Sequence, residues 1–398
     1  MNLIQPSNLS PILSRLYRHT IRVNHKNTSL MGGKMGAALF EAYYNRHVGI
    51  KDDSRIWEHV ADALNQVQEG QLLHSFAGGI SGIAWSFLHL SNQGLLQEEE
   101  LDAQAIVEGL DEGLFEVSMT LLKEGDYDYL HGGLSACLYF LERTPSPQIS
   151  SYIEQLVEQL SQIAIRFPNG DISWKYLSFN QYTLENAPNY NLGLSHGTAS
   201  IVSVLSLLYE RGYARKRCKE LIEGNLRWMW HVRNKASKSI FPNTVSDNPE
   251  DQESRLAWCY GDLGIANAFW LAGEKLQNQT WKDRAEQTIL HATTRKGPDV
   301  KINDAATCHG TIGASYLFRK FARRLNNPLL DEAADFWLQK TLTYLQPEDT
   351  EDVFLSYAGE SGGYESNPSI LDGEASIGIA LLVELGASAD WDRMLLLS

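Results

Sequence analysis

Trp258-Cys259-Tyr260-Gly261-Asp262-Leu263-Gly264 and Thr307-Cys308-His309-Gly310-Thr311-Ile312-Gly313 share one grammar. Each is a loop ending in a Cys, then one residue, then Gly-x-x-Gly opening an apolar helical pattern. Two thiols and an imidazole are thereby presented from helix entrances, which is the chemistry of a metal site.

Working outward, the same entrance recurs seven times, at Gly33-Lys34-Met35-Gly36, Gly79-Ile80-Ser81-Gly82, Gly132-Gly133-Leu134-Ser135, Gly197-Thr198-Ala199-Ser200, the two stretches above, and Gly373-Glu374-Ala375-Ser376. Such an internal repeat decides the architecture before any single motif does. Successive first glycines are 46, 53, 65, 64, 49 and 63 residues apart, enough for two helices and their loops. The segments behind the glycines are crowded with small and apolar residues, as helices packed on most sides require. Those between them are one-sided: in Ser54 to Val67, Ile56, Trp57, Val60, Leu64 and Val67 recur at helical spacing among Arg55, Glu58, Asp62 and Gln66. Alternating inner and outer helices predict an all-α fold, an α/α toroid of seven inner and seven outer helices, as one domain over 1–398. Pro168 to Asn191 and Ala236 to Gln252, rich in Asn, Gly and Pro, are expected as loop inserts over one mouth of the ring.

The chain of 398 residues is 43% apolar and can bury a large core, and its formal charge of −15 speaks against a nucleic-acid binder or a protein held to acidic lipid by basic clusters. A cationic peptide suits it better. No signal-peptide core and no bilayer-spanning apolar run is present. Four cysteines, two of them in motifs, suggest thiols used as ligands in a reducing, cytoplasmic setting.

Aligning the seven glycines shows more than any one motif. Immediately before them stand Gly32, Gly78, His131, His196, Tyr260, His309 and Asp372, and one position earlier Met31, Ala77, Leu130, Ser195, Cys259, Cys308 and Leu371. The two cysteines occupy equivalent registers in adjacent repeats, which in a ring puts them side by side. Cys259, Cys308 and His309 suit zinc, with a fourth position left open as in catalytic sites.

This pattern resembles the lanthionine synthetase C-like cyclases, the LanC family. The resemblance rests on Arg255 to Gly264, on Cys308-His309-Gly310 and on Leu194-Ser195-His196-Gly197, and covers all seven repeats. It implies one Zn2+ per chain and an enzyme that closes thioether rings in a dehydrated precursor peptide, adding a Cys thiolate to dehydroalanine or dehydrobutyrine. It implies a separate dehydratase, and an exporter as a further partner. It also implies roles for single residues. His196 is the general acid/base, and Asp128, four residues before Gly132, orients His196, assists thiol deprotonation or simply caps a helix. Arg255 holds the enolate oxygen or forms an ion pair with Asp128, and Tyr260 is an enolate donor or a supporting partner of the metal ligand. The chain departs from the family in Thr198-Ala199, where relatives often carry a Pro, and in the Ser that ends the third and seventh tetrads.

Other readings stay open: a relative adding glutathione to dehydroamino acids, or a peptide-binding scaffold with structural zinc. An α/α-toroid glycosidase would need paired carboxylates, which Asp128 and Asp372 do not supply. His131 is expected to line the mouth, Cys137 and Cys218 to be packing residues, Arg215-Lys216-Arg217 a solvated face, and Glu98 to Glu100 the start of an exposed helix.

Overall fold

The computed structural model describes residues 6–96, 102–176, 190–246 and 252–398. Glu98 to Glu100 and parts of both inserts lie outside the described residues. In chain order the α-helices are α1 (Pro6–Thr20), α2 (Lys34–Val48), α3 (Ser54–Gln68), α4 (Ile80–Asn92), α5 (Ala103–Val107), α6 (Asp111–Lys123), α7 (Cys137–Glu142), α8 (Pro147–Gln162), α9 (Thr198–Glu210), α10 (Arg215–His231), α11 (Asp262–Lys275), α12 (Gln279–Ala292), α13 (Thr311–Leu325), α14 (Pro328–Leu342) and α15 (Glu374–Glu384). Among the described residues, β structure is confined to three antiparallel pairs of two-residue strands: β1 (Ile165–Arg166) with β2 (Ile172–Ser173), β3 (Tyr190–Asn191) with β4 (Thr244–Val245), and β5 (Ser356–Tyr357) with β6 (Tyr364–Glu365). The two inserts are therefore not loops throughout: each carries short strands, and β3 and β4 pair across them.

The chain forms two compact units. One comprises Met1–Leu73, Ala77–Ala103 and Lys301–Trp391; the other comprises His74–Phe76, Gln104–Val300 and Asp392–Ser398. In the first, α13 packs on α14, α2 on α3, and α15 on both α1 and α2. In the second, α9 packs on α10 and α11, α11 on α12, and α8 on α6 and α10.

The helices behind the glycines are wrapped on nearly all sides. Ser81 to Leu90 of α4, Asp262 to Gly273 of α11 and Glu374 to Val383 of α15 are buried without a break. Burying a large apolar side chain such as Phe87, Leu271 or Leu381 contributes about 1.5–3 kcal/mol, so these helices carry the core. The intervening helices are one-sided, and α3 buries only Ile56, Val60 and Ala63.

The glycines serve mainly close approach. A Cβ on Gly33, Gly132, Gly310 or Gly373 would lie 2.1–2.5 Å from an oxygen of the residue six positions earlier, while their helices begin in ordinary extended backbone at Gly33, Gly310 and Gly373. Gly261 alone among these caps has a left-handed φ of 89°, a second reason for glycine there. The third repeat differs: its helix α7 begins only at Cys137, after turns closed by Ser135 N–H to Gly132 O and Cys137 N–H to Leu134 O.

Candidate metal centre and acid–base pair

The register read from the sequence has a physical counterpart. The residue two before the glycine donates its backbone N–H to the carbonyl of its equivalent in the next repeat: Met31 to Ala77 at 3.0 Å, Ser195 to Cys259 at 3.2 Å and Cys308 to Leu371 at 3.1 Å. These positions are thus fixed by a recurrent main-chain bond.

In the unit built around α9 and α11, Asp128 and His196 meet. Oδ2 of Asp128 lies 2.6 Å from Nδ1 of His196, while Oδ1 accepts the N–H groups of Leu130 at 2.8 Å and His131 at 3.1 Å. Of the three readings of Asp128, one oxygen meets His196 as the orienting reading requires, while the other closes a turn and caps no helix, since α7 begins only at Cys137. Burial pulls the His196 pKa down, but the hydrogen bond and charge of Asp128 outweigh it and the net shift is upward. The His131 ring stacks on that of His196 with centroids 5.8 Å apart, and burial, the largest influence, lowers its pKa.

The Cys259-Tyr260 turn is held by the segment leading to His196. The Cys259 carbonyl accepts Ser195 N–H and, at 3.3 Å, the Ser195 hydroxyl. The Tyr260 hydroxyl accepts from Nδ2 of Asn191 at 3.0 Å. Trp258 Nε1 donates to the Leu395 carbonyl at 2.8 Å, which anchors the same turn to the C-terminal segment. Arg255 is half-buried, and among the described residues no ion pair joins it to Asp128, whose oxygens are taken by His196 and the backbone. Buried Arg295, which carried no signal in the sequence, donates to the Ser254 carbonyl at 2.6 Å and lies 3.5 Å from the buried carboxylate of Asp262.

In the other unit, Thr307 is bonded twice to Ser376, N–H to Oγ and Oγ1 to the carbonyl, each at 3.1 Å, which sets the loop carrying Cys308 and His309. Asp372 faces Nδ1 of His309 at 3.6 Å. A carboxylate behind one imidazole nitrogen favours presentation of the other to a metal.

Cys308 and His309 stand in this unit and Cys259 in the other; also within this unit, His19, Asp352 and Glu374 lie together. That trio does not fit a metal. Nδ1 of His19 is hydrogen-bonded to Glu374, and Nε2 faces Asp352 at 3.9 Å, so each ring nitrogen turns to a different carboxylate, as in a clasped imidazolium. Cys259, Cys308 and His309 are residues with the soft donor atoms zinc prefers. Cys137 and Cys218 are buried, and burial pushes both thiols up to about 12, as packing residues require. In the Arg215 to Arg217 cluster, Arg217 pairs with Glu158 and Glu220 and Arg215 lies over the Tyr209 ring, a solvated face as expected.

Helices entered through recurring glycine turns, with an Asp–His pair beside one of two cysteine turns, define an α/α scaffold that carries candidate thiol ligands. The chain belongs to the lanthionine synthetase C-like protein family, which it matches over residues 25–396. It is 25% identical to the nisin biosynthesis protein NisC of Lactococcus lactis subsp. lactis over 339 residues, 78% of this chain and 77% of NisC. The solved structure of nisin cyclase superimposes with a TM-score of 0.75 at 20% identity, covering 98% of this chain and 97% of the other. The expected fold class, the α/α toroid, is borne out by that match, and an enzyme of the lanthionine synthetase type by the family.

Proposed function

We propose that this chain is a zinc-dependent lanthipeptide cyclase that adds peptide Cys thiolates to dehydroalanine or dehydrobutyrine, forming lanthionine and methyllanthionine rings. The observation that carries the reading is the Asp128–His196 pair, built on the residue next to Ser195, which itself holds the Cys259 carbonyl.

Cys259, Cys308 and His309 would hold one Zn2+, which when bound lowers the pKa of a substrate thiol. Two thiols from equivalent positions of consecutive repeats, with an imidazole next to the second, support this set. In the reaction the sulfur forms a bond to the β-carbon, the π electrons pass to the α-carbon and carbonyl as an enolate, and a proton returns to the α-carbon; no atom is lost. Asp128 accepts the Nδ1–H of His196, which leaves Nε2 as the nitrogen that takes up and delivers a proton. Tyr260 donates to the enolate oxygen, and the half-buried Arg255 guanidinium adds positive charge there. The peptide substrate would come from a separate dehydratase in the cytoplasm and leave through an exporter. No helix among the described residues is long and apolar enough to cross a membrane.

Incubation of the purified chain with a dehydrated peptide containing one Cys should consume the free thiol without change of mass. A peptide left linear by zinc-loaded protein would overturn the reading. A dehydrated peptide lacking Cys, supplied with glutathione, tests addition of an external thiol, which would show as a mass gain.

A further inference from the structure

Five of the seven entrances are built on the same turn. Asn27, Asp126, Asn191, Asp304 and Asn367 each stand six residues before the tetrad glycine, and the side-chain Oδ1 of each accepts the backbone N–H two residues on, at 2.8–3.1 Å. The turn needs only an acceptor, and Asp126 and Asp304 show that a carboxylate serves.

Asn191 does more. Its Oδ1 is engaged by Gly193 N–H at 2.8 Å, which settles which way the amide faces, and its Nδ2 then donates to the Tyr260 hydroxyl at 3.0 Å. Because the phenol oxygen accepts this bond, its own hydrogen is directed to an acceptor other than Asn191. The amide cannot easily swing away: Asn191 is fully buried, lies in β3 opposite Thr244 of β4, and is followed by Leu192, whose N–H donates to the Asn243 carbonyl at 3.0 Å. The ring is braced as well. A Cβ on Gly193 would come within 2.7 Å of two ring carbons of Tyr260 and of the Cys259 carbonyl, so the ring rests against bare backbone.

We propose that Asn191 is a positioning residue of the cyclisation, holding the Tyr260 phenol so that its proton is available to the enolate oxygen of the substrate. The inference rests on the reading of Tyr260 as that donor.

The test is Asn191→Asp. The new side chain keeps the acceptor for Gly193 N–H, as in the third and sixth repeats, but presents an acceptor to Tyr260 and draws the phenol proton to itself. Cyclisation of a dehydrated one-Cys peptide should lose about 10- to 100-fold in kcat, the usual size for a supporting hydrogen bond, with KM and zinc content unchanged. Tyr260→Phe should lose at least as much, and adding Asn191→Asp to it should cost nothing further. If Asn191→Asp does not fold, Asn191→Ser, which keeps a hydroxyl acceptor for the turn but cannot reach Tyr260, is measured in its place. A wild-type kcat in the Asn191 variant alongside an impaired Tyr260→Phe, or losses that multiply in the double variant, would overturn the inference alone. Full activity in Tyr260→Phe would overturn the reading of Tyr260, and the inference with it.

Discussion

Glu374, the first residue of α15, is hydrogen-bonded through one carboxylate oxygen to Nδ1 of His19 at the end of α1, while its other oxygen accepts the backbone N–H groups of Val353 and Phe354. Asp262 stands at the same register in the fifth repeat and works alike, accepting N–H from Ile240 and Phe241 with Arg295 as its cation. The difference is that arginine keeps its charge at all relevant pH, whereas histidine titrates.

The His19 pKa is raised, first by the hydrogen bond it donates to Glu374, against the opposing effect of burial, with the charges of Glu374, Asp352 and Glu351 adding to the rise. A group whose pKa is higher folded than unfolded contributes its stability fully below the unfolded value of about 6.5 and loses it as pH rises through the folded value. His19→Gln should therefore lower Tm most below about pH 6.5 and least at alkaline pH. A Tm deficit independent of pH, measured by thermal denaturation from pH 5.5 to 9, would contradict the clasp.

Cys259→Ala and Cys308→Ala should each lose zinc and cyclase activity together while remaining folded. Metal analysis of the purified variants and circular dichroism check this. A metal-free variant that still closed rings would remove zinc from the mechanism.

Asp128→Asn keeps an oxygen for the N–H groups of Leu130 and His131 but turns an amide N–H toward Nδ1 of His196. The imidazole would then carry its proton on the wrong nitrogen. We expect kcat to fall by about 100-fold or more, with Tm little changed. Rates and melting curves of the same preparation decide it.

Gly378 lies mid-helix in α15, where a Cβ would sit 2.3 Å from the Phe40 ring of α2. Gly378→Ala should destabilise by about 1–3 kcal/mol despite the gain in helix propensity, because the two helices must separate. Pairing it with Phe40→Leu should recover part of the loss in denaturant unfolding.

Much of this was legible in the linear order. Seven glycine tetrads at steps of 46 to 65 residues, each followed by an apolar helix, required a repeated inner and outer helix pair. The register of Cys259 and Cys308 followed from counting, and the main-chain bonds of Ser195 and Cys308 agree with it. The Asx residue six before the glycine was equally countable and shows what a second alignment column would have revealed; Arg255 stands in that column in place of an acceptor.

The sequence by itself determined the repeat, the all-α class and the candidate donors, because periodicity and residue chemistry are local properties. Only tertiary structure decided who pairs with whom. It joined Asp128 to His196 across 68 residues and Asn191 to Tyr260 across 69, left Arg255 without the Asp128 ion pair that was one of its two readings, and tied His19 to Glu374 across 355. Hydrogen bonds between such distant residues depend on orientations within tenths of an ångström. Those are set by packing and not by spacing along the chain.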